Sequence, residues 1–305
     1  FFLNRRGYAP LTICAVCNYR MICDYCSSWL VMHHKKNILS CHHCGFSSIF
    51  VDRCLKCKSE KSLRFIGPGI ERVAKELEKK FPQAKIEILS SENMNTNKKI
   101  EEIIKRIEFG KIDIMVGTQI LAKGHNFPSL SLVAVLDSDA AMKGGDLRAS
   151  EHTYNLLQQV GGRAGRSLET GDVYIQTYFN KNPLIQSLKN RDRETFLNNL
   201  LIDRKKFNLP PFFYLIAIII SGPSKLELFN FVKKISNDFP QNDDIKFLGP
   251  VEAQIFLLRG KYRYRVLLSS SNRKDLNFYT KKWLKKIKPL KGIRITPDVD
   301  PYSFM

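Results

Sequence analysis

Residues 14–57 read CAVCNYRMICDYCSSWLVMHHKKNILSCHHCGFSSIFVDRCLKC, and all eight cysteines of the chain lie in this stretch. Each belongs to a Cys-x-x-Cys pair: Cys14/Cys17, Cys23/Cys26, Cys41/Cys44 and Cys54/Cys57. Two sulfurs at that spacing span one edge of a metal tetrahedron, and disulfide frameworks rarely show such regularity. The eight thiolates suffice for two closed sites of four cysteines, and closed sites are structural because a catalytic zinc keeps one position open. Three groupings are possible. Nesting puts Cys23, Cys26, Cys41 and Cys44 around one ion, a C-x2-C-x14-C-x2-C spacing close to a zinc ribbon, and leaves Cys14, Cys17, Cys54 and Cys57 to clamp the ends. Sequential pairing would wrap Cys14 through Cys26 around one ion with only five residues between the pairs, which is short but not forbidden. Nesting is favoured, and two Zn2+ are expected in preference to an iron–sulfur cluster or a redox dithiol. His33, His34, His42 and His43 are read as surface or supporting residues, since eight thiolates already fill two sites. The stretch has too few apolar residues for a core of its own, so metal binding must hold it together. Unpaired thiols in this number imply a reducing compartment.

Working outward, the first residues give a short apolar strand, Phe1 to Leu3, and a basic turn through Arg5, Arg6 and Gly7. The chain begins without Met and without a leader-like pattern, so the expectation is that it starts within a longer protein. After the cysteines the pattern turns α/β. A helix is expected through Ile70, Val73, Leu77 and Phe81, then strand KIEIL, a helix through Ile100, Ile103, Ile104 and Ile107, strands IDIMVG and SLVAVLD, a helix near Thr153 to Val160, and strand DVYIQTY. Short apolar strands alternating with amphipathic helices predict a parallel, RecA-like sheet. Beyond Pro210 and Pro211, which end a helical stretch, the expected order is strand YLIAIIIS, helix Lys225 to Phe239, strands near FLGP and QIFLL, strand YRVLLS, helix Asp275 to Lys288 and strand GIRIT. That makes a small α+β domain of two helices among about five strands.

The 305 residues carry a formal charge of +20, which favours a polyanionic partner through counterion release, nucleic acid first, although a Lys-rich background composition contributes to it. No apolar run approaches the roughly 18 residues needed to cross a bilayer, so no membrane partner is expected. In Arg259, Gly260, Lys261, Tyr262, Arg263, Tyr264 and Arg265 the cations recur at every second position. A strand there sets Arg259, Lys261, Arg263 and Arg265 on one face, able to track a phosphate backbone, and the tyrosines on the other. Asp298 and Asp300 read as turn formers, since a lone Asp-x-Asp lacks further metal ligands.

Two further segments resemble late motifs of superfamily 2 helicases. Val116 to Gly124 reads VGTQILAKG at a strand end, where Gly117, Thr118, Gln119, Lys123 and Gly124 are candidate motor-coupling residues. Gln159 to Arg166 reads QVGGRAGR. Two arginines three apart among glycines present guanidinium forks to phosphate oxygens, which makes Arg163 and Arg166 the arginine-finger candidates, supported by Gln159, Gly162 and Gly165.

With NRRGYAPLTICAVC, LSCHHCG, GTQILAKGHNFP, LLQQVGGRAGR, LPPF, LRGKYRYRVLL and DVDP in this order, the chain resembles the primosomal replication-restart helicase family, PriA, nearly end to end. Ile70 stands where that family usually carries threonine, and the GGDLRASEH stretch departs from its pattern, both of which bear on the coupling of ATP to DNA. The resemblance implies an ATP-driven 3′ to 5′ DNA helicase that restarts stalled forks and nucleates primosome assembly. It implies a first segment of helicase lobe 2 at 1–12, an inserted two-zinc module at 13–65 with nested pairs, the RecA-like lobe 2 at 66–200, and an α+β DNA- and partner-binding domain at 201–305. It also implies DNA contacts by Arg5, Arg6, Arg259, Lys261, Arg263 and Arg265. The partners it implies are branched or forked DNA, other primosome proteins, a replicative helicase loader and single-strand DNA-binding protein, in the bacterial cytoplasm. No G-x-x-x-x-G-K-[ST] loop or DEAH-like motif is present, so ATP and Mg2+ are expected to bind only with lobe 1, and the chain alone is expected to be inactive. The alternative is a non-enzymatic zinc-containing module that binds DNA or a primosome protein.

Overall fold

The computed structural model describes residues 1–3, 5, 9–90, 96–118, 130–142, 146–164, 171–240 and 242–303. The chain divides into two compact units, 1–21 with 29–191 and 22–28 with 192–305.

In the first unit, β1 (Leu11–Cys14) pairs antiparallel with β5 (Leu63–Ile66), closing the cysteine-rich stretch at its base. Between them β2 (Val31–His33), β3 (Ile38–Ser40) and β4 (Ser47–Ile49) form a small antiparallel meander. Helix α1 (Ile70–Lys80) follows, burying Ile70, Val73, Ala74 and Leu77 at the i, i+3, i+4, i+7 spacing of one helical face. It stops at Phe81, because Pro82 disfavours helical geometry in the residue before it. Next come β6 (Ile86–Leu89), α2 (Asn97–Glu108), β7 (Ile114–Gly117), β8 (Leu132–Val135), the short α3 (Asp139–Met142), α4 (Ala149–Gly161), β9 (Asp172–Ile175) and α5 (Pro183–Asn190). Thr96 caps α2, its side chain accepting from Lys99 N–H. Strands β6 and β7 are parallel, as are β8 and β9. Phe2 joins the two pairs, bridging in parallel to both Gly117 and Val135. The first three residues are thus the middle strand of a parallel sheet, and Leu3 packs in the core with Val73, Leu77 and Val116. The cysteine module is thus an excursion of the chain between the middle strand and α1.

The second unit opens with α6 (Arg193–Lys206), so the domain boundary expected between residues 200 and 201 falls inside this helix. It continues with β10 (Tyr214–Gly222), α7 (Lys225–Asn237), β11 (Lys246–Leu258), β12 (Lys261–Ser270), α8 (Arg273–Lys286) and β13 (Arg294–Val299). The sheet order is β11-β12-β10-β13, antiparallel throughout. The two strands expected at FLGP and QIFLL are one. Gly249 at φ +107 and Pro250 bulge it between Leu248 and Val251 without ending it, and Pro250 is tolerated because β11 is an edge strand. Ile216, Ile218, Ile220, Val266 and Leu268 meet Leu228 and Val232 of α7 and Leu276 and Trp283 of α8 in the core. Trp283 is fully buried and donates Nε1–H to the Ile235 carbonyl at 2.9 Å. Trp283→Ala should destabilise this unit by about 3–5 kcal/mol, since a cavity and an orphaned carbonyl are left together. Denaturant unfolding checks this, and a loss under about 1 kcal/mol would contradict the packing described.

Candidate functional site

Three turns in the first part of the chain set the sulfurs of three of the cysteine pairs. Asn18 and Lys58 follow Cys17 and Cys57 in left-handed conformation (φ 56 and 61), and Gly45 follows Cys44 at φ 82. Their amides turn back onto the first cysteine of each pair: Asn18 N–H donates to Cys14 O at 3.0 Å, Lys58 N–H to Cys54 O at 3.0 Å and Gly45 N–H to Cys41 O at 2.9 Å. Each turn leaves two sulfurs on one side.

The sulfurs of Cys14, Cys17, Cys54 and Cys57 lie within 4.8 Å of one another, and those of Cys23, Cys26, Cys41 and Cys44 do the same. This is the nested arrangement, and it sets aside the sequential alternative. Cys14 and Cys57 Sγ are 3.7 Å apart and Cys17 and Cys54 Sγ 3.6 Å. A tetrahedron with Zn–S bonds of about 2.3 Å has edges of about 3.8 Å, so the sulfurs stand where ligands would, and far beyond a disulfide bond of about 2.05 Å. Cys14 Sγ donates to the Ser62 hydroxyl oxygen at 3.5 Å, and this contact is the largest of those that lower the Cys14 thiol to about 5. Tyr19's backbone N–H lowers the Cys17 thiol, but burial and the sulfurs of Cys57, Cys54 and Cys14 push it up to about 11. Four sulfurs this close cannot all ionise without a cation between them, which is the electrostatic demand a zinc ion meets. The chain therefore carries two four-cysteine zinc sites. The outer one is the more open, with Cys57 exposed, whereas Cys23, Cys26 and Cys41 of the inner one are buried. Residues 22–28, which hold Cys23 and Cys26, are tied within the second unit: Ser27 N–H donates to Leu257 O at 2.8 Å and Gly260 N–H to Tyr25 O at 3.0 Å.

In the parallel-sheet lobe, Gly117 ends β7, and Thr118 follows it buried, with its N–H 3.4 Å from Leu89 O. Gln119, Lys123 and Gly124 lie outside the described residues, as do Arg6, Gly145, Gly165 and Arg166. Gln159 is exposed near the end of α4, and Gly162 caps the helix by donating to Gln158 O at 2.8 Å. A Cβ on Gly162 would come 3.1 Å from that carbonyl, a tight approach that a side chain would have to relieve by a few tenths of an ångström. Arg163 follows, only 9% exposed, lining a mostly apolar cavity of about 230 Å³ with Phe2, Met115, Leu132 and Val160.

Arg5 is engaged within the lobe. Its guanidinium pairs with Asp137 at 2.7 Å just beyond β8, its carbonyl accepts from Ile70 N–H at 3.2 Å, and its Nη1 lies 3.0 Å from where a Cβ on Gly67 (φ +81) would sit.

In the second unit the basic run is a hairpin rather than one strand. Arg259 and Gly260 (φ 51 and 75) form a two-residue turn between β11 and β12, so Arg259 leaves the row. Lys261, Arg263 and Arg265 alternate along β12 on the face away from the helices, while Tyr264 is buried among core side chains. Register adds a residue the sequence reading missed: Arg263 pairs with Ser221 of β10, which pairs with Arg294 of β13. Likewise Arg265, Ile219 and Thr296 form the next row. Burial depresses the Arg263 and Arg265 guanidinium pKa values, and the charge of Arg265 adds to the effect on Arg263. Asp300 pairs with Arg273 at 3.1 Å.

The parallel sheet and its cysteine-rich insert define the second lobe of a helicase. Three family models match the chain: the PriA DNA helicase Cys-rich region over residues 23–48, the helicase conserved C-terminal domain over 49–167, and the primosomal protein N C-terminal domain over 205–302. The chain belongs with the C-terminal portion of the PriA family. It is 41% identical over 303 residues to the replication restart protein PriA of Rickettsia conorii, covering 99% of this chain and 47% of that protein. It is 34% identical to that of Bacillus subtilis over 309 residues (100% and 38%), and 32% to that of Haemophilus influenzae over 303 residues (98% and 41%). The chain thus spans about half the length, or less, of these relatives. No helix among the described residues is long and apolar enough to cross a membrane.

Proposed function

We propose that this chain is the second lobe and C-terminal domain of an ATP-dependent 3′ to 5′ DNA helicase that restarts stalled replication forks and nucleates primosome assembly in the bacterial cytoplasm. The observation that carries this reading is the Q-x-x-G-R-x-G-R segment leaving α4 of a parallel-sheet lobe that also carries the two zinc sites. Residues 1–12 and 66–191 serve as lobe 2, 13–65 as its zinc insert and 192–305 as the DNA- and partner-binding domain. Arg163 and Arg166 complete an ATP–Mg2+ site built largely by a first lobe. Gly117, Thr118, Gln119, Lys123, Gly124, Gln159, Gly162 and Gly165 shape the loops that couple it to DNA. Without that lobe the chain neither binds nor hydrolyses ATP. Primosome proteins, a helicase loader and single-strand DNA-binding protein are the protein partners on this reading. Arg6 and the hairpin turn at Arg259 add cationic contacts to the DNA path, and Arg5 contributes through its pair with Asp137.

The sheet face that carries Arg263, Arg265 and Arg294 contacts phosphates rather than bases, because its arginines stand opposite hydroxyl and aliphatic side chains while the tyrosines face the core. Replacing Arg263, Arg265 and Arg294 together by alanine should weaken DNA binding and flatten its logarithmic salt dependence by about 2–3, roughly 0.9 per lost phosphate contact. An unchanged slope would remove this face from the DNA path. The larger reading is tested by mixing the chain with a first-lobe polypeptide and measuring DNA-stimulated ATP hydrolysis. DNA binding without any hydrolysis in that mixture would favour the non-enzymatic module.

A further inference from the structure

His33 ends β2 and is 4% exposed, yet belongs to neither zinc cluster. Its Nδ1 lies 3.4 Å from Glu71 Oε1, and the other carboxylate oxygen, Oε2, accepts from His34 N–H at 3.0 Å. Its Nε2 lies 3.3 Å from Nε2 of His42, with the rings edge to face at 66°. A neutral imidazole has one N–H. In that form the nitrogen facing the carboxylate, an acceptor only, carries it, which leaves His33 Nε2 to accept from His42 Nε2–H.

These three side chains connect two places with different roles. His42 sits between Cys41 and Cys44 on the inner zinc turn. Glu71 sits in the first turn of α1, where a carboxylate also complements the helix dipole. The next residue back, Ile70, donates to Arg5 O, and Arg5 holds Asp137 at the end of the parallel sheet. All of these residues lie in the first unit.

We propose that His42, His33 and Glu71 form a directional hydrogen-bond latch by which the inner zinc turn positions the start of α1 and, through Arg5, the strand-end loop at Asp137. His33 and Glu71 are positioning residues, and His42 is held to the latch without ligating metal. The inference goes beyond the helicase reading and does not depend on it, since every group belongs to the described lobe.

The test uses the zinc-loaded chain. Long-range ¹H–¹⁵N spectra of the histidine rings should show His33 protonated at Nδ1 and His42 at Nε2; His33 protonated at Nε2 alone would overturn the latch. Glu71→Ala should speed amide exchange at His34 and in the first turn of α1 about tenfold, whereas Glu71→Gln, which keeps an acceptor for Nδ1–H, should stay within about twofold of the parent in the α1 turn. Equal effects of the two substitutions would reduce Glu71 to a surface charge. His42→Ala should reproduce the α1 effect with both zinc ions retained, and loss of an ion would make His42 a ligand instead.

Discussion

Stripping zinc from the protein with a chelator is expected to unfold residues 11–66 while leaving the β10–β13 sheet intact. The cysteine-rich stretch buries Met21, Leu30, Met32 and Leu39, but its strands are three or four residues long, and among the described residues no helix lays an apolar face on their meander as α7 and α8 do on the second sheet. Structural zinc in finger peptides contributes about 10–16 kcal/mol per ion, more than such a core supplies, so two ions outweigh every other stabilising term in the module. The second sheet rests on Trp283 and an aliphatic core that involves no cysteine. Hydrogen exchange followed by mass spectrometry reads both regions at once. Fast exchange should appear across 11–66 and protection should persist in β10 and β12. A metal-free protein still protected at β1 and β5 would show that the module folds on packing alone.

Removal of the Arg166 guanidinium should have the largest effect on chemistry. Arginine fingers are worth about 10³–10⁵ in turnover because they meet charge that develops on the transferring phosphoryl group and is absent from bound ATP. In a mixture with a first-lobe polypeptide, Arg166→Ala should therefore collapse kcat by about that range, with KM for ATP changed far less. Arg163→Ala should act differently. Its side chain is buried and lines a cavity with Phe2, Met115 and Val160, so its loss should lower the stability of the lobe together with activity. Equal hydrolysis by the Arg166→Ala mixture and its parent would remove Arg166 from the ATP site.

What the sequence disclosed and what it hid divide along physical lines. The metal sites could be read because thiolate pairs at fixed spacing have little other use, and Gly45 advertised one of the turns. Lys58, in the same left-handed conformation after Cys57, carried no such signal. The α/β order was readable from helical and strand periodicity. That Phe2 lies in the middle of the parallel sheet was not, since a three-residue strand separated from its neighbours by the whole insert has no periodicity to detect. Gly249 and Pro250 looked like a strand end and are a bulge. Arg259 looked like part of a cationic row and is a turn residue, because a dipeptide ending in glycine can take positive φ at both positions. Arg294 joins Arg263 only through β10, a pairing between segments far apart in sequence. The same holds for Glu71 and His33, whose contact bridges the insert and the motor helix.

Zinc counting on paired substitutions tests the nested two-site arrangement most directly. The parent should hold two zinc ions per chain. Cys17→Ser combined with Cys54→Ser strikes one nested site twice and should leave one ion bound, whereas Cys17→Ser combined with Cys23→Ser strikes both sites and should leave none. One ion retained by the Cys17/Cys23 pair and none by the Cys17/Cys54 pair would mean that the cysteines pair in sequence order, and the arrangement of the module described above would be wrong.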